Sequence, residues 1–477
     1  MSAHDYPGRG VIETADAVRC GELRAVDVLE ECLATLEARN PAINAFVMLR
    51  AEEARDEAVA IDRRVAKGED PGPLAGIPFG VKDIEDITGL PTTQGSLLLK
   101  DAAPATRDTV HIEKLRAAGA IAVGKTNICE FGIDSSSYNR LWGTTRNPWN
   151  LERTPGGSSG GAAAAVAAGI VPLATATDAS GSTRGPAANT GLVGLKPSHG
   201  RIARNDGFAN WAAHGALTRT VADTARYLDS VSGPDDRDRQ SLPSAGLCYE
   251  KVIETLDVAG LRAVWSADLG YAVVEPEVVE IAHRAAKTLV GAAGLELLPR
   301  DFHPVNAHRA LAIIMITRAR DDMTLAGLLP ARLGELGRQL QYWLELGKDI
   351  GAQEVAASWE VVRQLERDMA TFYREADVLL TPAVACVPYG ADVMMPEVID
   401  GRDSRASGPE PFGFIANIAW NPSISVPAGL SREGLPVGLQ ITVRRHRDDI
   451  ALRLARILEV AQPWGSPWDP LLAAPGR

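Results

Sequence analysis

Three features of the sequence predict an α/β fold with a sheet held between helical layers. Helix-period apolar patterns alternate with short apolar runs. A glycine- and serine-rich loop runs directly into an alanine-rich helix start at residues 154–169. One long stretch, residues 305 to 375, breaks the alternation and is almost continuously helical.

Taken in order, residues 11 to 66 read as helices. "ADAVRCGELRAVDVLEECLATLEARN" repeats apolar residues every three or four positions and is expected to stop at Asn40-Pro41. "PLAGIPFGVKD" predicts a short strand, Ile77 to Lys82. In "LRAAGAIAVGKTN" a helix ends, Gly119 turns the chain, and "AIAVG" forms a strand. "TPGGSSGGAAAAVAAG" predicts a tight loop and a buried helix, followed by the strand of "GIVPLATAT" and a further loop and helix. Residues 305 to 375 read as a helical insertion over one edge of the sheet. Strands return at "DVLLTPA", "PSISVPAGL" and "GLQITV", before a closing helix from Asp449 to Glu459. No linker, charge block or repeat marks a boundary, so residues 1–477 are expected to form a single domain. Its N-terminal helical segment spans 1–66 and its insertion about 305–375.

The bulk composition narrows the function. A net charge of −12 argues against a nucleic-acid footprint, which needs clustered Lys and Arg. Cys20, Cys32, Cys129, Cys248 and Cys386 show no paired spacing, which suits reduced thiols in a cytoplasmic protein. The opening "MSAHDYPGRGVIETAD" has no apolar stretch, so no secretion signal is read. Thr154 to Thr177 is uncharged and long enough to raise a membrane span. Its Gly, Ser, Ala and Pro172 are wrong for one, and a buried helix and strand (Ile170 to Thr177) are expected instead.

Two motifs are set aside. Gly119–Thr126, "GAIAVGKT", fits the Walker A pattern, but its four middle residues form the strand itself rather than an open phosphate loop. Cys129 beside Glu130 offers a nucleophile in principle, yet a lone Cys usually behaves as a small buried hydrophobe. The eight histidines are dispersed, and no H-E-x-x-H or paired-Cys pattern supports a metal site.

Three positions carry chemistry. Strand alternation places Pro78, Gly80 and Lys82 on one face, with small neighbours leaving space beside the ammonium. Burial lowers a lysine pKa and makes it a general base. Ser158 sits in "GGSSGG", which read alone is a turn or an anion cradle as well as a catalytic loop. Ser182 follows the strand "PLATAT" and Asp178 in a loop of small residues before a helix. There a serine can be a nucleophile lined by backbone N–H donors.

Together these segments resemble the amidase signature family. "GPLAGIPFGVKD", "LPTTQGS", "GKTNICEFG", "NPWN", "PGGSSGGAAAAVAAG", "TDASGSTRGPAANTGLVGLKPS", "GALTRTVAD" and "NPSISVPAGLSREGLPVGLQI" keep that family's order from about residue 40 to 460. The interval between Ser158 and Ser182 is also the family's. The resemblance implies an amidase-signature fold, a central mixed sheet flanked by helices with a helical insertion. It also implies a Ser–cis-Ser–Lys triad with no metal or cofactor. Ser182 matches the nucleophile, Ser158 the bridging serine on a cis peptide, and Lys82 the base. Backbone N–H groups of Ala179, Ser180, Gly181 and Ser182 would hold the oxyanion, and Asp178 and Arg184 are expected to be structural.

The expected activity is serine-type hydrolysis of a C–N acyl bond in a small-molecule amide or carbamate (a urethanase-like case), or of an ester. The alternative is a glutaminase-type subunit of a tRNA-dependent amidotransferase. A homodimer is the family's common assembly, with no nucleic acid and no membrane as partners. Two departures stand out. Ser180 replaces a usual glycine, and Gly185 stands where a bulkier residue is frequent, which suggests a wider pocket floor. Substrate choice is expected to lie in the insertion and in loops such as 391–415.

Overall fold

The structure, a computed structural model, describes residues 10–205 and 210–465. The first nine residues of the opening segment lie outside them. The strands of the main sheet are β1 (Phe46–Leu49), β2 (Pro78–Lys82), β3 (Ile121–Thr126), β4 (Leu173–Asp178), β5 (Val193–Lys196), β6 (Ala213–Thr218), β7 (Arg262–Trp265), β8 (Glu296–Leu297), β9 (Val378–Pro382), β10 (Ser423–Leu430) and β11 (Pro436–Val443). They form one 11-stranded sheet in the order β1-β3-β2-β4-β6-β5-β10-β11-β9-β7-β8. The sheet is mixed: β3-β2-β4 and β9-β7-β8 run parallel within each group, and the pairs between are antiparallel.

Apolar runs with both faces covered explain why strands such as Val378–Pro382 and Pro436–Val443 are buried along their whole length. The alanine-rich helix Gly160–Ala167 is buried at every position and packs with the helices Ala25–Ile43 and Ala51–Ala66. Small side chains are what allow it to lie so close to the sheet. No helix of the described residues is long and apolar enough to cross a membrane, and residues 154–177 divide into this helix and β4.

The glycines of "GGSSGG" have a packing reason. A Cβ on Gly157 would lie 2.5 Å from the Asp134 carbonyl oxygen. One on Gly161 would strike the backbone of Asn127 and come within 2.8 Å of the Ala45 carbonyl. The loop is pressed between two other segments, and only glycine leaves room.

Two expectations need correction. The segment 11–66 is not all helical, because β1 interrupts it. Nor does the helix stop at Asn40-Pro41: it runs to Ile43, with Pro41 in its last turn. Asn40 organises the true end, its Oδ1 accepting from the amides of Ala45 and Phe46 at 2.9 and 2.8 Å, while Asn44 takes a left-handed conformation. The helices His308–Leu325, Arg338–Leu346 and Ala352–Glu375 form the predicted helical stretch; the last packs beside the chain leaving the edge strand β8, where Arg300 pairs with Glu375 and the Val305 amide donates to Asp368, and the stretch also meets loops leaving β2 and β3. Glu130 accepts from the Gly337 amide at 2.6 Å, Arg140 donates to the carbonyls of Gly334 and Leu336, and Leu98 joins Met323, Leu336, Leu340 and Leu344 in a small apolar cluster.

Candidate active site

Lys82 ends β2 and is fully buried. Its Nζ donates to Ser158 Oγ at 2.8 Å and to Thr177 Oγ1 at 2.8 Å, and lies 3.3 Å from the Thr177 carbonyl. The expected space beside Gly80 is absent. A Cβ there would lie 2.7 Å from Thr126 and 3.1 Å from the Phe46 ring, so Thr126 and Phe46 take up the room expected beside Gly80. Burial, the dominant influence, pulls the Lys82 ammonium from 10.5 down to about 8, while Cys129, Glu85, Asp178 and Glu410 oppose it. Asp83 points elsewhere, hydrogen-bonding Thr93 and lying 3.6 Å from Lys125.

Ser158 is 2% exposed and follows a cis Gly157–Ser158 peptide. Ser182 is 8% exposed, on the loop between β4 and the helix Arg184–Thr190. Thr177 is the hinge of the arrangement, since it touches Lys82 and directly precedes that loop. Asp178 shapes the loop by accepting from Gly181 N at 2.8 Å and Thr183 N at 3.2 Å. Arg184 forks onto it at 2.9 and 2.8 Å, and also reaches Asn417 and Gln440. Burial would raise the Asp178 carboxyl, but the Arg184 charge overrides it and holds it at about 2. Arg184 is wholly buried in this network, which is a structural placement.

One expected oxyanion donor is corrected. The Gly181 amide already serves Asp178, so it is not free to face an oxyanion; the carboxylate is what closes the turn. The amides of Ala179, Ser180 and Ser182 have no partner among the described residues. Gly181 is needed for a different reason, its φ of +131°.

The wider floor inferred from Gly185 is also corrected. Glu410 fills that space, its Cδ 2.6 Å from where a Gly185 Cβ would stand. Burial, then Asp178 and Asp134, drive the Glu410 carboxyl well above the usual range against the pull of Arg184 and Lys82. Only its position within the variable loop 391–415 pointed to it in the sequence. Nearby, a cavity of about 780 Å³ is lined by Cys129, Asp134, Tyr138, Leu340, Val393 and Met394, among others. Burial raises the Asp134 carboxyl to about 7 and holds the Cys129 thiol protonated, its Sγ sharing contacts with the Asp134 backbone.

Sequence reasoning also missed a buried cluster three residues past Lys82. Glu85 Oε1 lies 2.7 Å from His111 Nδ1 and 3.0 Å from His214 Nδ1, and Tyr227 Oη lies 2.7 Å from His111 Nε2. The donor atoms of Glu85, His111 and His214 lie within 4.8 Å of one another, a spacing that could hold a metal ion. The two histidines meet only because the helix Val110–Ala117 and β6 converge, which spacing along the chain cannot reveal. In the Walker-like segment, all of Ile121–Thr126 is buried strand. Lys125 Nζ donates to the Glu85 carbonyl at 2.5 Å and Thr92 Oγ1 at 2.9 Å, so it cannot cradle a phosphate.

A buried lysine lies beneath two serine-bearing loops, at the strand ends of a large mixed sheet. Comparison with known proteins identifies the class. The Amidase family matches residues 27–452. An acylamidase of Rhodococcus erythropolis is 36% identical over 470 residues, covering 97% of this chain and 98% of the relative. A glutamyl-tRNA(Gln) amidotransferase subunit of Chloroflexus aggregans is 34% identical over 476 residues, covering 94% and 95%. The solved structure of a bacterial aryl acylamidase of the amidase signature family superimposes with a TM-score of 0.90 at 29% identity, covering 98% and 99%. The chain belongs to the amidase signature family and is a hydrolase acting on carbon–nitrogen bonds other than peptide bonds.

Proposed function

We propose that this enzyme hydrolyses small acyl amides, anilides or carbamates through an acyl-enzyme on Ser182. The observation that carries the reading is the 2.8 Å bond from buried Lys82 Nζ to Ser158 Oγ, with the Ser182 loop anchored next to Thr177. A neutral Lys82 takes the Ser158 proton as Ser158 takes that of Ser182, whose Oγ bonds the scissile carbonyl carbon. The carbonyl oxygen becomes an oxyanion facing the amides of Ala179, Ser180 and Ser182. The proton returns through Ser158 to the leaving nitrogen, the C–N bond breaks and the amine departs. Water, deprotonated by the same relay, then releases the acid and restores Ser182.

The acylamidase and aryl acylamidase likenesses support acyl amides, including aryl amides, over the glutaminase-type alternative, although amidotransferase subunits are similar along most of their length. The test is a panel of anilides, primary amides, carbamates and esters with purified protein. Turnover of acyl amides that vanishes in Ser182→Ala is the expected result. Turnover restricted to glutamine would favour the amidotransferase reading.

A further inference from the structure

The Glu410 side chain lies against the loop that carries Ser182, and its carboxyl makes no hydrogen bond or ion pair with the described residues. The residue that follows it by three, Gly413, is pressed onto the nucleophile loop, where a Cβ would lie 2.6 Å from the Ser180 carbonyl carbon. That contact clamps the Glu410 loop against Ser180 and Gly181. The Glu410 side chain then turns back across two glycines. Its Oε2 is 3.1 Å from the Cβ position of Gly181, the residue before Ser182, and 3.2 Å from that of Gly185. Any side chain at Gly185 would displace it. The carboxyl therefore occupies the space that a side chain at position 185 would take.

Neither oxygen of this carboxyl makes a hydrogen bond or ion pair with a described residue, and the side chain is half-buried rather than sealed. Asp178, by contrast, is fully matched by Arg184 and two backbone amides. The other nearby acid, Asp134, adds a second carboxyl to the same region. Arg184 and Lys82 are turned to Asp178 and Ser158 and do not reach Glu410. In its ionised form, an unmatched carboxyl here attracts a cation and repels an anion.

We propose that Glu410 is the specificity-determining residue of this site, pairing with a protonated amine that the substrate carries a few bonds from its scissile carbonyl. The preferred substrates are then amides whose acyl chain bears an ammonium group. The inference rests on the serine-hydrolase reading given above. Burial and Asp178 favour the protonated carboxyl, and an ammonium group brought against it favours the ionised form, the carboxyl proton passing to solvent.

The test compares three 4-nitroanilides of similar size, built on 3-aminopropanoate, butanoate and succinate, with the full chain. The ammonium substrate is expected to exceed its neutral counterpart in kcat/KM by about tenfold or more, the scale of one charge-assisted hydrogen bond. Succinate should be the poorest. In Glu410→Gln the ratio of ammonium to neutral substrate should fall to about one, and Glu410→Lys should move the preference to succinate. A wild-type ratio of one or below overturns the proposal whether or not the variants fold, as does a Glu410→Gln enzyme that keeps the ratio. Ser182→Ala separates the two readings. If wild type cleaves butanoate anilide through Ser182 with no ammonium preference, only the Glu410 proposal fails. If no anilide is cleaved, or Ser182→Ala still cleaves, the serine-hydrolase reading fails and takes this inference with it.

Discussion

Arg184 lies 2.8 Å from Asp178, both wholly buried, and this pair sets the shape of the loop that carries Ser182. Asp178 holds Gly181 and Thr183 by their amides, and Arg184 ties the same carboxylate to Asn417 and to Gln440 of β11. The loop is thus positioned by a charge network, not by its own sequence preference.

Arg184→Ala should therefore lose both activity and stability. It strands a buried carboxylate, a change that costs about 3–5 kcal/mol. Asp178 is held at about 2, below its ordinary 3.8, so its stabilising contribution is complete above pH 4 and fades as pH falls toward 2. In Arg184→Ala the carboxyl loses that support and the acid unfolding midpoint should move to higher pH. Denaturant and acid titrations followed by circular dichroism check both. A variant of wild-type stability would show that Arg184 does not hold the fold.

Ser182 is predicted to be the one covalent nucleophile. A fluorophosphonate or sulfonyl fluoride should label it, as peptide mapping by mass spectrometry would reveal. Iodoacetamide should leave activity largely intact, because burial keeps the Cys129 thiol protonated. Labelling at Cys129, or loss of turnover in Cys129→Ala, would contradict the assignment.

Much of the candidate site could be proposed from the sequence because the stretches that carry it are local. Lys82 at a strand end, Ser158 in a glycine loop and Ser182 before a helix each sit in a recognisable stretch. What sequence reasoning could not see depends on convergence. Glu410 reaches Gly185 from a distant loop, and His111 and His214 meet Glu85 from a helix and a strand. The Gly181 amide was misread for a related reason, since only the folded turn shows that Asp178 claims it. In the fold, Pro41 misled because a proline in a final helical turn forfeits little, and Asn40 supplies the real stop.

Nucleotide binding is expected to be absent despite "GKT". Lys125 is buried with the Glu85 carbonyl, Thr92 and Asp83 around its ammonium. Lys125→Ala should lower the melting temperature through about 1–3 kcal/mol of lost hydrogen bonding to a charged group. Calorimetry with ATP should detect no binding before or after the change. Micromolar ATP affinity that disappears in Lys125→Ala would overturn this reading of the strand.

The most demanding prediction concerns the protonation state of Lys82. Its proposed role needs the free amine, and burial brings its pKa from 10.5 to about 8. Below pH 8 the ammonium form dominates and the relay through Ser158 has no acceptor. In this reading kcat/KM should fall about tenfold for each pH unit below 8 and level off above it, until the fold itself fails. Glu85 raises the Lys82 pKa by its charge, so Glu85→Gln should move the inflection to lower pH, provided the variant keeps its cluster with His111 and His214. Lys82→Ala should reduce kcat by about 10²–10⁴ with little change in KM for a small anilide. Lys82→Arg should not restore it, because a guanidinium stays charged at every usable pH. A Lys82→Arg enzyme with near wild-type turnover, or a rate flat from pH 6 to 9, would mean that positive charge rather than a free amine is what the site requires.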